Sequence, residues 1–265
     1  MKKFYILDRN AVSVIKDSVA RKKVSSDKLA RLTNLRKIDK KGNIISVIFS
    51  IIEGQSGKKE TKDQMLLTLE KETKAISEFY HHAHTDSKIL KQSKDKFIEI
   101  HSGEIEEGYG LYEEIIKKVR EKPFHSIKAK DRKDILKDLI SFVKERGISA
   151  SHPVVICCLS GICGNPNARK IIKNKETDTY NAMNDLMTLP KVCFFIPILN
   201  PNNYPVKFLT FDNYLDSFFN SFFSSIKDIS IVNGYMQVSH STFDKNIFPN
   251  LTDEEYKELL NLIGE

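Results

Sequence analysis

The chain has 265 residues, 40% of them hydrophobic and 29% charged, with a formal net charge of +7. That composition excludes a disordered chain, and no apolar stretch is long enough to span a bilayer. The positive balance leans toward a polyanionic partner, although lysines on solvated helix faces give the same sum.

The first residues, Met1, Lys2 and Lys3, open like a secretory signal, but Asp8 and Arg9 interrupt the apolar run. No signal is expected. Of the four cysteines, Cys157, Cys158 and Cys163 crowd into one apolar segment and Cys193 stands apart. This is a poor disulfide framework, and the expectation is reduced thiols in a cytoplasmic protein with no membrane partner. His152 could join them at a zinc ion, but metal-ligand pairs normally come from well-separated loops.

In chain order, Phe4, Tyr5, Ile6 and Leu7 read as a short buried strand that stops at Asp8. Asn10 and a predicted helical run from Ala11 follow. A carboxylate at the C-terminal end of a first parallel strand sits where open α/β sheets place ligands. The alternative is that Asp8 only caps the next helix. Residues 21–41 are basic, and Leu29, Leu32 and Leu35 predict a short amphipathic helix there. Its Arg31, Arg36 and Lys37 either meet phosphates or form a wet face.

Residues 44–49 predict a second buried strand. Ser50 and Glu53 then fit a helix capping box, which also sets Glu53 on the same sheet edge as Asp8. Residues 59–84 read as one long helix with an apolar stripe of Met65, Leu69, Ile76, Phe79, Tyr80 and Ala83. His81, His82 and His84 are expected at its end as cations complementing the dipole. Residues 87–147 are helical and charged, with an amphipathic helix over 131–145.

Ser151 and Pro153 predict the start of a buried helix over 154–163. A helix over 179–187 carries Asp185 close to an apolar face, where a carboxylate is costly unless it is paired or bound to a cation. Asp178 is the alternative. Residues 192–199 read as a strand. Residues 206–211 repeat the first device, a strand ending at Asp212 and a helix over 214–223, with Asp212 as cap or ligand. One more strand over 229–238 precedes a final helix capped by Thr252 and Glu255 and ending near Gly264.

Asp8, Glu53 and Asp212 thus each follow a strand-like run and precede or open a helix. In a parallel sheet they share one edge. Converging carboxylates need cations, and Mg²⁺ or Mn²⁺ suits such oxygen ligands. Two ions about 4 Å apart can activate a water and stabilise the leaving oxygen in phosphodiester cleavage.

The stretches around Asp8 and Asn10, residues 48–54 with Glu53, a helical Asp185, and Phe208 to Asp212 with Thr210 resemble the PIN-domain nucleases, including the VapC-type toxins. The resemblance implies an α/β fold with a mainly parallel central sheet flanked by helices. It implies Mg²⁺ or Mn²⁺ held by Asp8, Glu53, Asp185 and Asp212, with Asn10 and Thr210 as supporting polar groups. The implied activity is endonuclease cleavage of RNA, as in a toxin or defence ribonuclease. The likeness covers residues 1–57 and 150–225. Residues 58–149 are then a helical insertion that could cap the site or receive a protein partner or inhibitor, and 226–265 a C-terminal extension. The rival reading is a PIN-like module that binds nucleic acid or protein without cutting.

Overall fold

The computed structural model describes residues 2–22, 25–53, 61–101, 109–172, 185–187, 196, 204–232, 235–240 and 242–264. Its centre is the strand β1 (Phe4–Leu7), in which Phe4, Ile6 and Leu7 are each 1% exposed or less. Burial on both faces is what a central strand of a parallel sheet requires. β1 is flanked by β2 (Ile44–Ser46) and β4 (Val206–Leu209), and β3 (His84–Thr85) lies beyond β2. All three pairings are parallel, with Phe4 opposite both Ile44 and Val206 and Ile44 opposite His84. The fold is therefore α/β, with a four-stranded parallel sheet in the order β3-β2-β1-β4 among helices.

By its contacts the chain divides into two units, Met1–Ile105 with Ile196–Asp216, and Glu106–Phe195 with Ser217–Glu265. These boundaries differ from those the resemblance implies. Half of the expected insertion lies with the sheet, and the expected core segment 150–225 is shared between the units.

In the first unit, helices α1 (Arg9–Val19), α2 (Ser26–Lys37), α3 (Ile48–Glu53), α4 (Lys62–Phe79), α5 (Ser87–Gln92) and α6 (Lys94–His101) connect or cover the strands. α1 buries Ala11, Val12, Val14 and Ile15. α4 buries Met65, Leu69, Ile76 and Phe79 at helical spacing, together with Glu72, whose carboxylate takes the Lys16 ammonium of α1 at 2.9 Å. Phe49 of α3 packs edge-on against Phe208 of β4 at 5.6 Å, tying a crossover helix to the sheet.

Several local expectations are corrected here. Strand β2 ends at Ser46 and a helix starts at Ile48, because a six-residue apolar run suits a buried helix as well as a strand. Ser50 and Glu53 are consequently both inside α3 and form no capping box at its start. α4 ends at Phe79 rather than His84 and starts with a capping box of Thr61 and Gln64. The histidines after it are not dipole partners within that helix. Instead the amides of His81, His82 and Ala83 all donate to the Asp39 carboxylate, at 3.0, 2.8 and 2.8 Å. Burial pushes Asp39 up, but these three donors outweigh it and hold the carboxyl below its ordinary range. In α2 only Leu35 is buried, and Leu29 is 54% exposed. A spacing of three residues drifts round a helix, so Leu29 and Leu35 do not share a face.

The second unit contains α7 (Tyr109–Arg120), α8 (Ala129–Glu145), α9 (Pro153–Ile162), α10 (Pro166–Ile172), most of α11 (Asn213–Ser225) and α12 (Asp253–Ile263). α9 is buried on every side. A Cβ on its Gly161 would stand 3.1 Å from both Ile172 and Phe124, so glycine permits this close approach. The cap of α9 is His152, whose Nδ1 accepts from the Val154 amide, and not Ser151. Cys157, Cys158 and Cys163 are free thiols in or at the end of this helix. The expected strand over 229–238 is an antiparallel hairpin, β5 (Ile226–Val232) and β6 (Tyr235–His240). α12 is capped by the Thr252 and Glu255 box and closed by Gly264 at a φ of 100°. Of residues 192–199 only Ile196 is described, and it is helical. Among the described residues no helix is long and apolar enough to cross a membrane.

Candidate functional site

The strand order reverses beside β1. The chain moves outward through β2 and β3, then returns to place β4 on the other side of β1. Such a switch point opens a crevice at the carboxyl ends of the two strands, where open α/β sheets bind ligands. Asp8 follows β1 and Thr210, Phe211 and Asp212 follow β4, so the crevice is lined by the residues in question.

Asp8 is 4% exposed. Its amide continues the sheet by donating to Leu209 at 3.0 Å. Its Oδ1 accepts the Asn10 amide at 2.7 Å, which caps α1, and its Oδ2 has a long contact to Asn10 Nδ2 at 3.5 Å. The Thr210 hydroxyl donates to the same carboxylate and accepts the Asp212 amide at 3.0 Å. Asp212 caps α11, with Oδ1 accepting from Tyr214 at 2.8 Å and Leu215 at 3.1 Å. Thr210 therefore links the Asp8 carboxylate to the backbone amide of Asp212 at the adjacent strand end. Capping does not use up the acids, since both caps run through Oδ1 alone.

Electrostatics mark the pair. Burial pushes the Asp8 carboxyl above the ordinary range, Thr210 and Asn10 pull it down, and the Asp212 charge pushes it up again. A cation between the two would offset both upward pressures.

The four acids named by the sequence are not all placed alike. Asp8 and Asp212 come together with Asn10 and Thr210. Glu53 is half-buried at the last position of α3, in the same unit. Asp185 is helical and belongs to the second unit, where its charge reaches the Cys157 thiol. Asp178 lies outside the described residues. Among the described residues no group of three or more His, Cys, Asp or Glu side chains is arranged to hold a metal ion. Two carboxylates with neighbouring neutral oxygens nevertheless match the chemistry of Mg²⁺, which commonly takes one or two protein carboxylates and completes its shell with water and substrate phosphate.

The basic helix is sorted by its contacts. Arg36 stands 3.6 Å over the Phe79 ring and donates to the Phe79 carbonyl, a structural use. Lys37 reaches Asn34 at 3.3 Å on an exposed face. Arg31 stands over Phe211, 4.8 Å from its ring centroid, between the two site residues Thr210 and Asp212.

Sequence reasoning missed Asp86. It follows β3 as Asp8 follows β1, and precedes α5 in the same way. The pattern of strand, acid and helix was present, but in a strand of two residues. Asp86 is buried and takes the Ser46 hydroxyl at 2.5 Å and the Val47 amide at 3.2 Å, so it steadies the turn from β2 into α3. Burial raises its carboxyl to about 6, against the hydrogen bonds from Ser46, Val47 and Ile48. Between about pH 4 and this value the folded state holds a proton that the unfolded chain has released, so stability falls as pH rises through that window, by about 3 kcal/mol. In urea unfolding at a series of pH values, Asp86→Asn should flatten this part of the profile. An unchanged slope would show that Asp86 ionises in the folded protein at its ordinary pKa.

No family model matches the chain, and no curated protein or solved structure is significantly similar to it.

Proposed function

We propose that the protein is a divalent-metal-dependent phosphodiesterase of PIN-like type acting on nucleic acid, with RNA the favoured substrate. The observation that carries this reading is the joining of Asp8 and Asp212 through Thr210 at the switch point of the sheet. Asp8 and Asp212 would hold Mg²⁺ or Mn²⁺. When bound, the ion supplies positive charge to a scissile phosphate and makes a water acidic enough to attack it. Asn10 and Thr210 keep the Asp8 carboxylate in one orientation through their hydrogen bonds. Burial of Asp8 keeps bulk water from solvating its charge, which strengthens its hold on a cation. Arg31, from the neighbouring helix, supplies a cation for the phosphate backbone.

The test is incubation of the protein with total RNA and with single-stranded DNA, with and without Mn²⁺. Cleavage that requires the ion and disappears with chelator is expected. The resemblance names two further acids, and Glu53→Gln and Asp185→Asn, assayed beside Asp212→Asn, read which of them the reaction needs. Absence of cleavage on every substrate, with nucleic-acid binding retained, would favour the non-catalytic binding module.

A further inference from the structure

The acid pair stands at the carboxyl ends of β1 and β4. The opposite edge of the sheet, where the four parallel strands begin, has the reverse charge. Asn43 is buried there and ties three strand starts together. The Lys3 amide donates to its Oδ1 at 3.2 Å, the His84 amide donates to its carbonyl at 2.9 Å, and its own Nδ2 donates to the Ile38 carbonyl at 2.9 Å. Around this knot Lys2 and Lys3 lead into β1, and Lys40 and Lys41 lie in the turn that leads into β2. The two pairs are held side by side. A Cβ on Gly42, at a φ of 94°, would stand 3.2 Å from Lys2 Cγ, so the Lys2 stem lies against that turn. Its ammonium is 5.9 Å from the ring centroid of Tyr204, ahead of β4. Lys2, Lys40 and Lys41 are exposed and Lys3 is half-buried. Among the described residues none of the four pairs with a carboxylate. Asp39 lies within the rim, but both its oxygens are taken by the amides of His81, His82 and Ala83. Glu78, near the end of α4, faces Lys74 at 3.9 Å.

We infer that this rim is a nucleic-acid surface separate from the acid pair, at which Lys2, Lys3, Lys40 and Lys41 hold the phosphate backbone. Five residues of strand separate Lys3 from Asp8, about 16 Å, so the rim does not reach the acids and does not depend on cleavage there. Four physical points support it. Ammonium groups gathered without free counter-charge repel one another, and a polyanion relieves that repulsion. Partnership with a helix dipole does not account for them, because that effect falls off within the last turn. α2 ends at Lys37, short of Lys40 and Lys41, and Lys2 and Lys3 precede a strand. Lysines on flexible stems act as point charges that suit a repeating phosphate backbone, and they read no base. The rim also lacks an apolar anchor. Leu29, Leu67, Ile89, Leu111 and Tyr214 are the large apolar side chains left exposed among the described residues, and none belongs to a strand start. A lipid surface is held by apolar burial together with charge, so charge alone favours nucleic acid.

The experiment measures binding of a labelled RNA strand of mixed sequence by fluorescence anisotropy, in chelator and over a series of salt concentrations. The variant carries Lys2→Gln, Lys3→Gln, Lys40→Gln and Lys41→Gln. Its control carries Lys88→Gln, Lys91→Gln, Lys130→Gln and Lys137→Gln, four exposed lysines of α5 and α8, and so has the same net charge. The rim variant should bind at low salt at least about ten-fold more weakly than the wild type. The slope of log affinity against log salt should fall by about 3, at about 0.7 for each lost phosphate contact. The control should keep most of both. If the fourfold variant does not fold, Lys40→Gln with Lys41→Gln, set against Lys88→Gln with Lys91→Gln, should show about half the fall in slope. Equal losses in rim variant and control would reduce the effect to net charge and overturn the rim, as would an unchanged slope in the rim variant. Vesicles rich in phosphatidylserine are the second probe. Rim-dependent binding to vesicles but not to RNA would make the surface one for lipid and overturn the inference. Rim-dependent RNA binding by a protein that cuts no substrate would uphold the rim and remove the nuclease reading, whereas metal-dependent cleavage with rim-independent binding would do the reverse.

Discussion

Asp8→Asn should lower metal-dependent cleavage by more than about a hundred-fold, the loss that changes to mere outer partners of a metal site already produce, while leaving the protein folded. Asn keeps the size of the side chain and an oxygen that can accept the Asn10 amide, so the start of α1 survives. The charge is what disappears. Without it a divalent cation loses half of its protein counter-charge at the pair, and the acidity it confers on water falls. The metal-free protein should respond in the opposite sense. The Asp8 carboxyl is held above its ordinary range first by burial and then by Asp212. Its ionised form therefore opposes folding, and stability contributed by the protonated form is lost as pH rises through the folded pKa. Removing the charge should leave thermal stability at neutral pH unchanged or raised. Cleavage rate and melting temperature measured on the same preparation check both halves. Wild-type cleavage by a folded Asp8→Asn protein would end the metal-site reading, and a large loss of stability would make the residue a cap alone.

The largest effect on stability is expected at Lys16. The side chain of Glu72 is 1% exposed and that of Lys16 25%, with 2.9 Å between ammonium and carboxylate. Lys16→Met should cost about 3–5 kcal/mol, because the buried Glu72 carboxylate loses the Lys16 ammonium. The double variant Lys16→Met with Glu72→Leu should recover most of that loss, since two apolar groups carry no desolvation penalty. Urea unfolding of the two variants measures the difference. A loss below about 1 kcal/mol in Lys16→Met would place the pair with ordinary surface salt bridges. The pair also bears on the site. It fastens α1, whose first turn is capped by Asp8, to α4.

What could be read from the sequence was local. Asp8 and Asp212 were legible because each ends an apolar run and starts a helix, a pattern confined to about ten residues. Thr210 came with the second of them. The helices α8, α9 and α12 were legible from periodicity and caps, and the parallel sheet from the repeated strand-to-helix order. The errors arose where the deciding contact is distant in sequence. Asp39 collects the amides of His81, His82 and Ala83, 42 to 44 positions away, and nothing near His81 announces it. With the end of α4 misplaced, the two-residue β3 was absorbed into the helix, and Asp86 was lost with it. Two residues are too few for alternation to register. Arg36 and Lys37 looked equivalent to Arg31 in a basic run, and only the rings of Phe79 and Phe211 separate their uses.

The shortness of β3 has a bearing on how the protein behaves in concentrated solution. The amides of His84 in β3 and of Asp86 just after it are spent on the carbonyls of Asn43, just before β2, and of Ile45 within it. Backbone groups alternate in direction along a strand, so the outward side of this edge offers the single residue Thr85 as a template. A neighbouring chain that tried to extend the sheet there would gain one rung of hydrogen bonds, too little to offset the lost freedom of association. Longer open edges invite chain-to-chain pairing and fibril growth. On this side the sheet ends before such growth can begin.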